Sequence, residues 1–590
     1  MDYTVHTSAT PANRGPSLLQ GPSSPPLKHI TLGQLLDEQI HVQGPTECIV
    51  CPSLKTRWTY NTLQRESLEI AQGLLSIGVK PGDRIGILAG NCAEYIAVFF
   101  AVAYIGGVLV VLNNTYTASE ALHALAHSGC RILFSQPNIG RVSMKDLLVH
   151  LGPQPKGNGK SEMLERIIML RDSLEGFATY SNLKTEGRSI PSAVLDRARE
   201  KVYPDDVCNL QYTSGSTGHP KAAMLTHFNL VNNAQSIGDR LCFTPADILC
   251  CPPPLFHCFG LVLGVLAVIS HGAKIILPSP TFSARAVLES LSAERCTALH
   301  GVPTMFEELL NLERPRGWKC DVLRTGIIAG APVPRRLMKR LVGELGMAEF
   351  TSSYGLTEAS PTCFNAFTHD SIHTRLTTVG KLLPHLRAKI VDRTGAIVPQ
   401  GSRGELCIAG YSLSKGYFRN PEKTNEALRM DEEGTLWLYT GDEASFNEDG
   451  YCTITGRFRD IIIRGGENIY PVEIEDRLCA HASISRAAVV GIPNARYGEV
   501  VGAFLQHSTD SPSPPKKPTD EEIRTWTRQA LGWHKAPVHI FWLGDEGAPR
   551  DIPQTGSGKI QKFELRALGE SIVNARENRQ KLRIEKGAKL

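Results

Sequence analysis

Several features that mark other classes of protein are missing from this sequence. It has no run of 18 or more uninterrupted apolar residues, so no segment is long enough to cross a membrane as a helix. The N-terminus is rich in Ser, Thr, Pro and Gly and lacks the apolar core that a secretory signal requires. We therefore expect neither a transmembrane segment nor a secretory signal.

The charge balance argues against a nucleic-acid partner. The formal net charge is +4 over 590 residues, and no element concentrates Lys and Arg into a basic stripe. The basic residues near the C-terminus have the pattern of a solvated terminal helix. We expect no nucleic-acid binding.

The cysteines have no disulfide or metal framework. Fifteen of them are scattered along the chain, which suits a reducing compartment. Cys48 and Cys51 form a lone Cys-x-x-Cys motif, whereas a zinc site needs about four ligands. We interpret them as two semi-buried thiols.

Strand and helix patterns alternate along the first three quarters of the chain. Residues 84–89 and 107–112 read as strands, with a helical pattern at 93–103 between them. This alternation predicts an α/β fold in which parallel sheets are covered by helices.

The length of 590 residues predicts at least two domains. The strand–helix rhythm changes after residues 456–460, and the remaining residues suffice for a small α+β domain. We predict a disordered leader at 1–29, a large N-terminal domain at 30–459 and a small C-terminal domain at 460–590.

The most informative stretch is residues 212–221, YTSGSTGHPK. Its hydroxyls and glycines permit tight turns that aim backbone N–H groups at an anion, and Lys221 adds a positive charge. The stretch is not a Walker loop, because Ala222 stands where that pattern needs Ser or Thr. It predicts a polyphosphate cradle.

This loop resembles the signature of the adenylate-forming superfamily, which contains acyl-CoA synthetases, coumarate-CoA ligases, luciferases and peptide-synthetase adenylation domains. Further segments resemble the other motifs of that superfamily in the same order, and the similarity runs from about residue 30 to residue 565. These segments are 354–358, 439–442, 456–457, 464–471 and 558–560.

The resemblance implies a set of residues that bind ATP. The loop is expected to hold the phosphates, Tyr354 to lie against adenine, Asp442 to bind the ribose and Arg457 to contact ribose or phosphate. The full implied set is Thr213, Ser214, Gly215, Ser216, Thr217, Gly218, His219, Pro220, Lys221, Tyr354, Gly355, Leu356, Thr357, Glu358, Asp442, Arg457 and Lys559.

Three of these residues are implied to be catalytic. Thr357 would contact the phosphate of the adenylate, Glu358 would bind magnesium, and Lys559 would serve adenylate formation. A carboxylate displaces pyrophosphate only when the charge that develops on the transferred phosphate is neutralised. Magnesium and Lys559 are the groups expected to supply that neutralisation.

The superfamily performs a second half-reaction after its small domain rotates about a hinge. In this sequence the resemblance places the hinge at Asp460, so that the small domain is mobile. The turn at Gly465, Gly466 and Glu467 would then face the pantetheine arm of coenzyme A. The expected cofactors are thus ATP, magnesium and coenzyme A.

Residues 254–260 lack the aspartate with which peptide-synthetase domains anchor an amino group. Together with residues 301–306 they resemble the medium-chain fatty acyl-CoA synthetase branch. His257 and Met305 would then line the acyl pocket, although His257 could equally be a packed core residue.

The predicted function is activation of a carboxylic acid to an acyl-adenylate, followed by transfer to coenzyme A. Two alternatives are a nucleotide-binding protein without turnover and an oxidase that uses the adenylate, as luciferases do. The sequence does not name the acid. Medium-chain fatty acids, short hydroxy acids such as mevalonate and intermediates of secondary metabolism all remain open.

The chain ends in Ala588, Lys589 and Leu590, which resembles the peroxisomal Ser-Lys-Leu signal. We therefore expect a peroxisomal location, with the peroxisomal import receptor as a partner. The cytosol is the alternative location.

Overall fold

A computed structural model describes residues 15–152, 164–213, 220–329, 333, 335–465, 467–508, 516–555 and 560–587, with no account of the side chains of 335, 336 and 577–587. The strands in chain order are β1 (Leu18–Gln20), β2 (Glu47–Cys51), β3 (Thr56–Thr59), β4 (Arg84–Leu88), β5 (Val108–Val111), β6 (Ile132–Ser135), β7 (Asn138–Ile139), β8 (Val142–Ser143), β9 (Arg166–Met169), β10 (Ala178–Thr179), β11 (Val207–Thr213), β12 (Lys221–Thr226), β13 (Ile248–Cys250), β14 (Lys274–Ile276), β15 (Ala298–Leu299), β16 (Thr325–Ile328), β17 (Glu349–Gly355), β18 (Thr362–Asn365), β19 (Lys381–Leu382), β20 (Leu386–Val391), β21 (Gly404–Gly410), β22 (Leu428–Met430), β23 (Leu436–Phe446), β24 (Cys452–Arg457), β25 (Ile462–Arg464), β26 (Glu467–Ile469), β27 (Ile484–Asn494), β28 (Gly498–His507) and β29 (His539–Trp542).

The α-helices in chain order are α1 (Leu32–Gln43), α2 (Tyr60–Ser76), α3 (Ala93–Tyr104), α4 (Ala118–Ser128), α5 (Lys145–Leu151), α6 (Tyr180–Gly187), α7 (Ser192–Arg199), α8 (His227–Arg240), α9 (Ala267–Ser270), α10 (Ala284–Ala293), α11 (Pro303–Asn311), α12 (Arg335–Leu345), α13 (Ile372–Thr377), α14 (Pro421–Ala427), α15 (Pro471–Cys479), α16 (Asp520–Arg528) and α17 (Lys562–Gly587). A π-helical segment, Phe259–Leu266, runs directly into α9. No helix in the described ranges is both long and apolar enough to cross a membrane.

Two mainly parallel sheets form the large N-terminal part. The first has the order β10-β9-β6-β4-β5-β11-β12, in which only the last pair is antiparallel. The second has the order β19-β18-β17-β16-β15-β13-β14-β2-β3, with antiparallel pairs at its two ends. The predicted α/β class with parallel sheets is confirmed.

The largest apolar core lies between these two sheets, where α1, α2, α3, α8 and the π-helical segment pack. Every residue of α3 is buried except Glu94. A helix that is apolar all round needs such a covered position, because an amphipathic surface helix keeps a polar face. The predicted helix at 93–103 is therefore a central layer of the core.

Two further sheets are antiparallel or mixed. One has the order β1-β20-β21-β23-β22, with β24 paired to β23. The other has the order β26-β25-β28-β27, with β29 paired to β28, and it packs against α15, α16 and α17. The chain leaves the first of these sheets at Arg457 and enters the second at Ile462. The predicted boundary after residue 459 falls within this interval.

The prediction of a disordered leader is wrong for residues 15–29. Leu18, Leu19 and Gln20 pair with β20, and the backbone N–H of Lys28 donates to Asn232 Oδ1 at 2.7 Å. An edge strand satisfies its backbone groups through the neighbouring strand, so this Pro- and Ser-rich composition does not prevent order. Residues 1–14 lie outside the described ranges.

Gly326 in β16 lies at a close approach between strands and provides a test of this packing. It has a φ of +151°, and a Cβ atom there would lie 1.8 Å from the carbonyl oxygen of Leu299. We expect Gly326→Ala to lower the free energy of unfolding by about 3 kcal/mol in a urea titration, because backbone must move to relieve the overlap.

Gly343 in α12 is the matched control, because no heavy atom lies within 4 Å of a Cβ atom built there. Gly343→Ala is expected to leave stability unchanged or to raise it by up to about 1 kcal/mol, since Ala favours helix over Gly. Equal urea midpoints for the two variants would contradict the overlap described for Gly326.

Candidate active site

The strands β11 and β12 bring the two ends of the predicted phosphate loop together. They pair antiparallel with Thr213 opposite Lys221, and Thr213 Oγ1 donates to the Lys221 carbonyl oxygen at 3.4 Å. β11 also pairs with β5 of the parallel sheet. The loop is thereby anchored on one rigid element, with Pro220 beside its returning end, while residues 214–219 lie outside the described ranges.

Lys221 and Glu358 both contact Tyr417, which the sequence analysis did not single out. The Lys221 ammonium nitrogen lies 5.0 Å from the centroid of the Tyr417 ring, within the range of a cation–π interaction. The Tyr417 hydroxyl donates to Glu358 Oε1 at 2.7 Å. Burial and the Glu358 charge raise the pKa of Tyr417, so the phenol stays a donor. One neutral side chain thus joins two residues predicted to bind ATP and magnesium.

Tyr354, Asp442 and Arg457 form a second hydrogen-bonded group. Tyr354 donates its hydroxyl to Asp442 Oδ2 at 2.6 Å, and Arg457 Nε lies 3.0 Å from Asp442 Oδ1. Asp442 and Arg457 are register partners on β23 and β24, which explains their proximity. The Asp442 side chain is 7% exposed. Burial of Tyr354 and the nearby negative charge of Asp442 raise the pKa of the Tyr354 hydroxyl. A carboxylate has about four acceptor positions, so Asp442 keeps capacity for ribose hydroxyls.

A tight turn after β17 presents Thr357 and Glu358. Gly355 is required there, because a Cβ atom at this position would lie 1.9 Å from the Pro361 carbonyl oxygen. The Leu356 N–H donates to the same oxygen at 2.8 Å. The chain then forms a single 3-10 turn, Thr357–Ala359, so the two predicted catalytic side chains leave a short and constrained segment.

Cys258 connects this turn with the strand before the phosphate loop. Its thiol donates to Gln211 Oε1 at 3.0 Å, and the Thr357 hydroxyl is a hydrogen-bond donor to its sulfur. Burial nevertheless raises the pKa of Cys258, so the thiol is neutral. The contact joins β11, the 254–260 segment and the Thr357 turn.

His257 and Met305, predicted to line the acid pocket, are both half-buried. His257 precedes the π-helical segment and accepts the Phe259 N–H through Nδ1 at 3.1 Å. Met305 lies in the first turn of α11 and packs against the main core. Each side chain retains some surface that a ligand can reach, and the pocket assignment stays a prediction.

The predicted hinge and the predicted coenzyme A turn lie next to each other in the chain. Asp460 ends the 3-10 turn Phe458–Asp460, and its Oδ1 lies 3.9 Å from Arg459 Nε. Gly465 has a φ of +60° between β25 and β26, and Glu467 lies 3.3 Å from His534 Nε2. Gly465 and Glu467 are exposed. Gly466 and Lys559 lie outside the described ranges.

The sequence profile of the AMP-binding enzymes matches residues 36–418, which is more than half of the chain. The chain belongs to the AMP-binding enzyme family. The profile of the C-terminal domain of AMP-binding enzymes matches residues 473–559. This confirms the predicted family, with both of its characteristic parts present.

Named relatives of this AMP-binding enzyme are acyl-CoA ligases. It is 60% identical over 560 residues to acyl-CoA ligase sidI of Aspergillus fumigatus, which covers 95% of this chain and 94% of that protein. It is 35% identical over 582 residues to the mitochondrial medium-chain acyl-CoA ligase ACSF2 of Bos taurus, with 96% and 92% covered. The fold is also similar to that of the anthranilate CoA ligase AuaEII in complex with anthranoyl-AMP. The superposition on that structure has a TM-score of 0.81 at 24% identity. It covers 94% of this chain and 99% of the anthranilate CoA ligase chain.

The AMP-binding enzyme is therefore an acyl-CoA ligase that binds ATP. It activates a carboxylic acid as an acyl-adenylate and passes the acyl group to coenzyme A. The relatives support this activity over the alternatives of a nucleotide-binding protein without turnover and an oxidase.

Proposed function

We propose that this ligase binds ATP on its large N-terminal part and performs its two half-reactions with different motifs of its small C-terminal part. Lys559 serves adenylate formation, and the turn at residues 465–467 serves transfer to coenzyme A. The observation that supports this most directly is the clustering of predicted ATP-binding residues from separate segments. Asp442 and Arg457 lie together with Tyr354, while Lys221 and Glu358 meet at Tyr417. All five come from the part of the chain before the predicted hinge.

In the first half-reaction a carboxylate oxygen of the acid bonds to the α-phosphorus of ATP. The bond to the bridging oxygen breaks, and pyrophosphate leaves with that electron pair. The phosphate loop with Lys221 is proposed to bind the phosphates, and Lys559 is proposed to neutralise charge that develops on the transferred phosphate. In the second half-reaction the coenzyme A thiolate bonds to the acyl carbon, and AMP leaves.

Magnesium fits the donor groups on Glu358. Its carboxylate oxygens are the ligand type that this hard cation prefers, and the Tyr417 hydrogen bond orients one of them. In the part of the chain that the structure describes, no group of three or more His, Cys, Asp or Glu side chains could hold a metal ion. Magnesium is commonly bound by one protein carboxylate together with substrate phosphates. When bound, it would neutralise phosphate charge.

The acid is a small molecule that enters beside His257 and Met305. The first pocket segment, 254–260, carries no acidic residue, so it offers no partner for an amino group. The acid can be found by assaying fatty acids of graded length, short hydroxy acids such as mevalonate and aromatic acids. Pyrophosphate exchange without coenzyme A reports the first half-reaction, and AMP release with coenzyme A reports both.

With an acid so identified, Lys559→Ala should lower pyrophosphate exchange by about a hundredfold, because one charged contact to the transferred phosphate contributes about 3 kcal/mol. The same variant should still convert supplied acyl-adenylate and coenzyme A to thioester. Both half-reactions are measured on the same preparation.

Gly466→Trp is the reciprocal variant, since a bulky side chain is expected to obstruct the pantetheine arm. It should keep pyrophosphate exchange and lose thioester formation from supplied acyl-adenylate. Normal exchange in Lys559→Ala, or equal loss of both half-reactions in both variants, would contradict the proposed division.

Glu358→Gln tests the magnesium proposal. The amide has nearly the same shape but no negative charge, so the magnesium concentration that gives half-maximal pyrophosphate exchange should rise about tenfold or more. The thermal unfolding midpoint measures whether the fold is kept. An unchanged dependence on magnesium would remove Glu358 from the metal site.

We also propose that Ala588, Lys589 and Leu590 direct the ligase to peroxisomes; these residues lie outside the described ranges. The tripeptide has the small, basic and leucine pattern of the Ser-Lys-Leu signal, and it follows a polar, charged segment. A fluorescent protein that ends in the last ten residues should accumulate in peroxisomes. A matched fusion with one residue added after Leu590 should stay in the cytosol. Diffuse cytosolic fluorescence of the first fusion would contradict the proposal.

A further inference from the structure

The position of Tyr417 is set by backbone contacts on both sides of it. The segment 412–418 is bound to the turn that carries Glu358, because the Ser414 N–H donates to the Glu358 carbonyl oxygen at 2.8 Å. It is bound to β12 as well, because the Phe418 N–H donates to the Ala222 carbonyl oxygen at 2.8 Å. The residues next to Tyr417 in the chain are therefore tied to both predicted ligand-binding elements.

Local geometry restricts Tyr417 further. Gly416 has a φ of +88°, and a Cβ atom there would lie 2.3 Å from Thr424 Cγ2, so only glycine fits. The Tyr417 N–H donates to Thr424 Oγ1 at 2.9 Å. The Tyr417 residue is 8% exposed, so packing holds its ring. Its hydroxyl and ring face are thus oriented by the scaffold rather than by Lys221 and Glu358.

A tyrosine has a particular advantage between Lys221 and Glu358. The structure records no ion pair between these two oppositely charged groups, which both contact Tyr417 instead. A direct ion pair would occupy the ammonium needed by phosphate and the carboxylate needed by magnesium. The phenol donates a single hydrogen to Glu358 Oε1, and the ring attracts the ammonium without neutralising it. Both charges therefore remain available to a ligand.

We propose that Tyr417 is a positioning residue for magnesium-bound ATP. Its hydroxyl holds the Glu358 carboxylate for magnesium, and its ring holds Lys221 for the phosphates. This inference rests on the proposed magnesium role of Glu358. Hydrogen-bonding partners of metal ligands typically contribute 10- to 100-fold to metal affinity, which sets the size of the expected effect.

Tyr417→Phe removes the hydroxyl and keeps the ring, whereas Tyr417→Leu removes both. ATP binding is measured by calorimetry with magnesium and, separately, with a chelator that removes it. Tyr417→Phe should weaken ATP binding about tenfold with magnesium and leave it unchanged with the chelator. Tyr417→Leu should weaken binding under both conditions, because Lys221 then loses the ring as well. The magnesium concentration for half-maximal pyrophosphate exchange should rise in both variants.

Tyr451 offers a closely matched control. Its hydroxyl donates to Asp370 Oδ1 at 2.6 Å, and Lys381 Nζ lies 4.7 Å from its ring centroid, but neither partner belongs to the predicted ATP-binding set. Tyr451→Phe should match Tyr417→Phe in thermal stability and should keep wild-type ATP and magnesium dependence.

Glu358→Gln separates failure of this inference from failure of the proposed metal role. If Glu358→Gln shifts the magnesium dependence and Tyr417→Phe does not, Tyr417 has no positioning role and the inference is overturned. If neither variant shifts it, the magnesium role of Glu358 is wrong and the inference falls with it. A shifted magnesium dependence in Glu358→Gln and Tyr417→Phe, with no shift in Tyr451→Phe, supports the magnesium role of Glu358 and the positioning role of Tyr417.

Discussion

Backbone pairing along both edges of β12 is the constraint on which the arrangement of the nucleotide-binding residues depends. On one edge β12 pairs with β11, which is itself held by β5 in the parallel sheet. On the other edge it bonds to the 412–418 segment through the Phe418 N–H. That segment continues to the Glu358 backbone through Ser414. Backbone hydrogen bonds therefore connect the parallel sheet, the two strands that flank the phosphate loop and the proposed metal ligand.

The charged groups of the site are arranged in two different ways. Asp442 and Arg457 form a direct ion pair in which the carboxylate is nearly buried, and a buried carboxylate without a partner is costly. Lys221 and Glu358 are kept apart by Tyr417 and remain open to a ligand of mixed charge, such as magnesium-bound ATP. The Asp442–Arg457 pair is suited to a structural and recognition role. Lys221 and Glu358 are suited to binding the phosphates and the magnesium ion of the substrate.

Sequence patterns predict some elements of this fold well and miss others. The strands at β4 and β5 and the helix α3 have continuous or regular apolar patterns, which is why their positions agree with expectation within two residues. The strand β1 has only three residues in a Pro- and Ser-rich stretch, which is too short to show a period. Its existence depends on β20, a partner more than 360 residues away. The prediction of a disordered leader therefore failed for residues 15–29.

The sequence alone determined the family and the acid-activating chemistry, and it predicted the ATP-binding residues, because the motifs that carry them are short and stand in a recognisable order along the chain. It also determined the α/β class, since apolar periodicity is local. The tertiary structure decided which of those residues meet. Tyr417 carries no charge and stands in no motif that marks chemistry, so only folding brings it between Lys221 and Glu358. The pairing of Cys258 with Gln211 is another contact between distant segments that no local pattern encodes.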